Sequence, residues 1–221
     1  MQQTTAGPGL KVWGRRDSTN VQKVLWCCAE LDLEYEQIDA GGRFGRTAGD
    51  FLKLNPNGLV PVIEHDGQAI WESNTILRYL SRTFDRDRYL LPAGPQPEAQ
   101  IEKWMDWQLA HLLPGIAGLF ATVVKTPSRR RDSRAIAEAQ ARAEAALRVM
   151  DRHLATNAFL AGVRFSLADL PCGVLVQRWL DMEIERPLFS HLGRWHGELA
   201  RRRHFRELVM LPLVHAADTD E

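Results

Sequence analysis

The sequence predicts an α/β unit followed by an all-helical one, and three observations carry that prediction. The first eighty residues alternate strand-like and helix-like patterns in the order β, α, β, α, β, β, α. A proline-rich stretch, "DRDRYLLPAGPQPEA", then interrupts them, and everything beyond it reads as helix. The chain accordingly divides into residues 1–84, a linker at 85–97 and residues 98–221. A length of 221 residues with 45% hydrophobic and 25% charged content supports one large unit or two small ones, and the break favours two.

The elements follow in order. "LKVWG" is a short strand, and "VQKVLWCCAEL" a helix with Val21, Val24, Leu25 and Cys28 on one stripe. "LEYEQIDA" returns to period-two alternation through Leu33, Tyr35 and Gln37, and "TAGDFLKL" is a short amphipathic turn or helix. In "NPNGLVPVIEHDGQAIWES" two apolar runs flank Asp66-Gly67, a hairpin signal, and "ESNTILRYLSRTF" opens a helix on Glu72, Ser73 and Asn74. Beyond the linker, "EAQIEKWMDWQLAHLLPGIAGLFATVVK" is a long helix that Pro114 should kink by removing a backbone donor. "TPSRRRDS" is a turn. "RAIAEAQARAEAALRVMDRHLA" carries a stripe of Ile136, Ala143, Leu147, Met150 and Leu154. "FSLADLPCGVLVQRWL" begins with Ser166 and Asp169 at capping-box-like spacing and is apolar all round, so it is the buried helix.

Composition excludes several function classes. The 28 basic and 28 acidic side chains balance, which gives no net field to attract nucleic acid or an anionic membrane, and the arginines of "SRRR" read as solvated surface. No apolar run approaches the roughly 18 residues of a membrane span, and "MQQTTAGPGL" has no leader-like pattern, so a soluble cytoplasmic protein is expected. Three cysteines, two of them adjacent, suit neither a disulfide framework nor a metal site, and no metal is expected. No internal repeat or phosphate-cradling glycine loop is found.

In "DSTNVQKVLWCC", a Ser-Thr-Asn cluster stands at the mouth of the first helix. Ser18 or Asn20 can simply cap that helix. A helix N-terminus after a first strand can equally stabilise an anion such as a thiolate. The residues alone leave both open.

Four motifs taken together, "SxNxxK" from Ser18 to Lys23, "NPNGLVPVI" from Asn55 to Ile63, "WESNTILRYL" from Trp71 to Leu80 and "FSLADLPCG" from Phe165 to Gly173, resemble the cytosolic glutathione transferase superfamily over nearly the whole chain. The resemblance implies an N-terminal thioredoxin-like domain, a helical domain forming an electrophile pocket, glutathione as co-substrate and a homodimer. It implies a serine-type, bacterial-type site in which Ser18 donates a hydrogen bond to the glutathione sulfur, with Asn20 beside it and Thr19 pointing elsewhere. Val60-Pro61 resembles the family's cis-proline turn, which pairs with the cysteinyl backbone. Glu72 and Ser73 resemble the pair that takes the ammonium and carboxylate of the γ-glutamyl end.

Leu59 departs from the pattern, because many relatives carry a lysine or glutamine there that reaches glutathione. The glycine carboxylate then needs another cation, for which Arg43, Arg46 and Lys53 are candidates. The electrophile pocket is expected between the domains, near Arg15 and Arg16 and the long helix bearing Trp104, Trp107 and His111. Omega-like relatives have cysteine at position 18 and form mixed disulfides; serine cannot, and Cys27 and Cys28 read as packing residues. The implied activity is conjugation of glutathione to a small hydrophobic electrophile, in the manner of detoxification, or peroxide reduction. A glutathione-dependent disulfide reductase and a non-catalytic binding module of the same fold are the alternatives.

Overall fold

A computed structural model of the chain describes residues 9–41 and 49–213. Strand β1 (Lys11–Trp13) leads into helix α1 (Thr19–Glu30), then β2 (Glu36–Ile38), α2 (Gly49–Leu54), β3 (Val62–His65), β4 (Gln68–Trp71) and α3 (Ser73–Phe84). The four strands order as β2-β1-β3-β4, with β1 parallel to β2 and antiparallel to β3. This is the predicted thioredoxin-like sheet. The hairpin between β3 and β4 turns on Asp66 and Gly67, both at positive φ, the backbone shape that asparagine, aspartate and glycine tolerate best.

Helices follow: α4 (Pro95–Trp107), a π-helical turn (Gln108–Leu112), α5 (Leu113–Val123), α6 (Ser133–Leu154), α7 (Asp169–Leu180), α8 (Ser190–Arg201) and α9 (Arg203–Leu208). Pro95 and Pro97, read from sequence as linker, make the first turn of α4, where a missing N–H costs no intrahelical bond. Pro114 interrupts the long helix as expected. The distortion takes the form of a widened turn just before it, since the proline offers no donor to the preceding turn. Asp132 caps α6 by accepting from the Arg134 N–H at 2.9 Å. The arginines of "SRRR" are exposed.

Helix α1 is the centre of the molecule. From Val21 to Cys28 every residue is buried, because α3, α7 and α9 pack around the helix and its apolar residues share one core with Val12 of β1 and Ile63 of β3. The single apolar stripe in the sequence therefore understates its burial. Gly173 lets α7 approach: a Cβ there would lie 2.7 Å from Leu199 Cδ1 and 3.3 Å from the Trp26 ring. Asp169, at the start of α7, is fully buried and accepts from the Leu160 N–H (3.0 Å), the Ser166 N–H (2.9 Å) and hydroxyl (3.2 Å), and Trp195 Nε1 (2.8 Å). The spacing noted in the sequence thus ties α7 to the loop before it and to α8. No helix among the described residues is long and apolar enough to cross a membrane.

Candidate active site

Ser18 occupies the N-cap position of α1 with extended backbone angles, and its carbonyl accepts from the Gln22 N–H at 2.8 Å. Its side chain makes no capping bond. The hydroxyl is thus not consumed by the helix, and Ser18 lies on the wall of a cavity of about 300 Å³. Leu113, Ile116 and Phe120 of α5 and Leu175 of α7 form the apolar part of that cavity. Arg15, Lys125, Arg178 and Asp17 form its charged part, and Thr19 also touches it.

Asn20 faces another way, accepting from the Ser73 hydroxyl at 3.4 Å. Ser73 begins α3, is buried, and lies 3.5 Å from Lys23 Nζ. That ammonium also donates to Gln108 Oε1 at 3.2 Å, and Asn74 Nδ2 donates to the same oxygen at 3.2 Å. A fully buried polar cluster therefore joins α1, the start of α3 and the π-helical turn. Desolvation lowers the Lys23 ammonium from 10.5 to about 8. The motif "SxNxxK" contained Lys23, but only burial reveals it as the cluster's cation.

Glu72, the N-cap residue of α3, is exposed, makes no capping bond, and holds φ at 69°. A non-glycine residue in that region costs on the order of 1–3 kcal/mol, which the surrounding structure must offset. The Val60–Pro61 bond is cis, as the resemblance implies. Leu59 is 53% exposed and offers only its carbonyl, which accepts from Asn55 Nδ2 at 2.8 Å. Lys53 is in the last turn of α2, while Arg43 and Arg46 lie outside the described residues.

The cavity lining differs from the expected one at two places: Thr19, expected to point elsewhere, is on the wall while Asn20 is not, and two expected rings are missing from it. Trp107 and His111 are not among the residues that line it; their rings lie tilted against each other with centroids 6.0 Å apart, and Trp104 packs on His153 at 4.7 Å. Counting i, i+4 correctly paired the two rings, but the helix face toward Ser18 belongs to the next segment, α5, beyond the π-helical turn. Arg15 is on the cavity wall, pinned to Asp17 at 3.1 Å, while Arg16 donates to Gln37. Sequence reasoning missed Phe120, Lys125 and Arg178. Arg178 crosses from α7 to donate to the Asp17 carbonyl at 3.0 Å, a contact between residues 161 positions apart that no local pattern signals.

The three cysteines, Cys27, Cys28 and Cys172, are free and buried. Burial raises all three thiols, Cys28 to about 12. They are inert packing residues in this fold.

Comparison with known proteins agrees with this architecture. Residues 8–82 match the family model for the glutathione S-transferase N-terminal domain and residues 115–202 that for the C-terminal domain. Glutathione S-transferase GstB of Escherichia coli is 36% identical over 207 residues, spanning 92% of this chain and 99% of that protein. The disulfide-bond oxidoreductase YfcG of the same organism is 25% identical over 191 residues, 83% of this chain and 86% of its own. The crystal structure of a theta class glutathione S-transferase from Xanthomonas axonopodis pv. citri, with glutathione bound, superposes with a TM-score of 0.89 at 37% identity, covering 94% of this chain and all of the other. With both family models matched in order and a relative aligned along nearly its full length, the chain belongs to the glutathione S-transferase family.

Proposed function

We propose that this transferase activates the thiol of glutathione through the Ser18 hydroxyl, for conjugation to a small hydrophobic electrophile or for peroxide reduction. The observation that carries this reading is the Ser18 side chain, free of any capping bond and on the wall of the cavity. Its hydroxyl donates to the sulfur, and the partial positive charge of the α1 N-terminus adds to the effect. Lowering a thiol from about 8.5 by two pH units takes roughly 2.7 kcal/mol, within reach of one donor to a charged acceptor plus oriented N–H groups. No general base is needed, because a thiol so lowered gives its proton to solvent.

On this reading the α/β part holds the tripeptide and the helical part supplies the electrophile wall. Glu72 takes the γ-glutamyl ammonium, the Ser73 hydroxyl its carboxylate, and the backbone at Val60, before Pro61, pairs with the cysteinyl unit. When the carboxylate binds, the Ser73 hydroxyl turns its one proton from Asn20 Oδ1 to the ligand, and Asn20 holds Ser73 in place before that. A cation such as Arg43 takes the glycine carboxylate. The homodimer and the cytoplasmic setting implied by the resemblance complete the proposal.

Ser18→Ala tests it. Glutathione affinity should stay nearly intact, while the conjugation rate at pH 6.5 falls about ten-fold or more and the deficit shrinks as pH rises. Titrating the ultraviolet absorbance of the bound thiolate reads the effect directly. Superimposable curves for wild type and variant would overturn the assignment. The similarity to YfcG supports a second reading, a glutathione-dependent disulfide reductase that uses no enzyme thiol, its three cysteines being buried. Turnover of a small disulfide but not of 1-chloro-2,4-dinitrobenzene selects it, and binding of glutathione without turnover of either selects a binding module.

A further inference from the structure

The cavity beside Ser18 is apolar on its α5 side and cationic at its edge. Among the described residues three cations, Arg15, Lys125 and Arg178, line it against one carboxylate, Asp17. Arg15 pairs with that carboxylate at 3.1 Å. Among the described residues the Arg178 guanidinium donates only to the Asp17 backbone carbonyl, and it lies 5.1 Å from the Phe120 ring centroid. The Lys125 ammonium lies 5.7 Å from the same centroid, and no carboxylate pairs with it among the described residues. Asp181 and the Asp17 carboxylate both add negative potential at Arg178, but Asp181 is not on the cavity wall and accepts from Gln177 at 2.5 Å, and Asp17 is paired with Arg15. The space next to the Phe120 ring therefore has two cations beside it to which no carboxylate among the described residues is bonded.

A pocket meant for wholly apolar molecules gains nothing from two such charges, whose desolvation by a neutral ligand is unfavourable. Burial already lowers Arg178 from its ordinary value. An anion would restore the missing partner, and a flat apolar body would lie against Phe120 and Ile116. We infer that the electrophile of this enzyme is amphipathic, an aromatic or apolar body bearing a carboxylate, with the anionic group held between Lys125 and Arg178 and the reactive carbon toward Ser18. This rests on the proposal that Ser18 serves the glutathione thiol. It deepens that proposal by naming the substrate class. Arg178 has a double place, since its bond to the Asp17 carbonyl also steadies the residue before Ser18.

A matched pair of probes tests it. In the turnover arm, 4-chloro-3,5-dinitrobenzoate and its methyl ester are conjugated by the full-length protein. The glutathione sulfur bonds to the chlorine-bearing carbon, chloride departs with its electron pair, and the thiol proton goes to solvent. In the binding arm, calorimetry compares unreactive 3,5-dinitrobenzoate with its methyl ester. Wild type should bind the acid about ten-fold more tightly than the ester, a preference that falls about three-fold in Lys125→Met, where Arg178 remains, and is abolished or reversed in Lys125→Glu. The acid-to-ester ratio of kcat/KM should fall in parallel. Lys125 is exposed, so its replacement does not threaten folding, and Arg178→Met, which also loses the Asp17 contact, is the second variant.

Equal binding of acid and ester by wild type, or a preference untouched in Lys125→Met, overturns the inference. So does a rise in the KM for glutathione in Lys125→Met with an unchanged acid-to-ester ratio, which would assign the cation to glutathione instead. An intact binding preference with no turnover of either compound upholds the anion subsite and overturns thiol activation at Ser18, so the two failures are distinguishable.

Discussion

The Lys23 ammonium on α1 donates to Gln108 Oε1 on the π-helical turn at 3.2 Å, and both side chains are completely buried. The bond spans 85 positions and links the helix that begins at Ser18 to the helical part of the chain, directly behind Ser73. Burial holds Lys23 near 8, below its unfolded value of about 10.5. Between these pH values the unfolded chain binds more protons, so this group makes stability rise with pH across that window, by about 3 kcal/mol in all. Below pH 8 both states are protonated and its contribution is flat. Followed by urea denaturation from pH 7 to 10.5, wild type should therefore gain about 3 kcal/mol relative to Lys23→Met as pH rises, and parallel profiles would refute the buried charge.

Glu72→Ala should weaken retention on a glutathione matrix more than removal of any polar residue of the helical part. Truncating one side of a buried, hydrogen-bonded ion pair costs about 2 to 5 kcal/mol, against less than about 1 for a rim contact, and bound glutathione would cover the Glu72 carboxylate that is exposed without it. The exposed Glu72 carboxylate makes no capping bond, so its loss should leave the melting temperature nearly unchanged. Full retention of the variant would remove Glu72 from the site.

Asp169 titrates in the opposite sense from an ordinary ion-paired carboxylate. Burial raises it from 3.8 to about 6 despite its four donors. The folded state holds the extra proton between those values, so this group lowers stability as pH rises through them, again by about 3 kcal/mol. Asp169→Asn lacks that titration and leaves part of the donor set without an acceptor. Its deficit relative to wild type should be largest near pH 4 and shrink by about 3 kcal/mol by pH 7. A deficit independent of pH, measured by urea denaturation, would exclude a raised carboxyl.

Gly115 and Gly118 sit on the same helix, α5, and should respond oppositely to alanine. A Cβ at Gly115 would lie 2.9 Å from Ala143 Cα and N, backbone atoms of α6 that can yield only by moving the helix. Nothing lies within 4 Å of a Cβ at Gly118. Gly118→Ala should therefore stabilise by up to about 1 kcal/mol through helix propensity. Gly115→Ala should destabilise by about 1 to 3 kcal/mol and raise the KM for electrophile, because α5 carries Ile116 and Phe120. Thermal melts of both variants check the signs.

The three cysteines should not react with Ellman's reagent in the native protein and should all react in denaturant, since each is fully buried and its thiol is raised by desolvation. Rapid native labelling would reopen a role for an enzyme thiol.

Features written within a few neighbouring residues were legible in the sequence itself. Asp66-Gly67 fixes a hairpin because its backbone angles are local, and the stripe from Ile136 to Leu154 fixes α6 because its period is local. The Ser166 and Asp169 spacing and the order of α/β and helical parts belong to the same class. Tertiary structure decided what depends on several segments meeting. It enclosed α1 on all sides, which turned Lys23 from a surface-like letter into a buried cation. It placed the cavity against α5 rather than at Trp107 and His111, because a π-helical turn and the approach of α7 set which face meets Ser18. It also freed the Ser18 hydroxyl from capping, although the residue type and position are those of a cap. Residues such as Ser18 and Arg178 share a site only because helices pack, and packing depends on side-chain volumes and crossing geometry summed over the chain, which no short window of sequence contains.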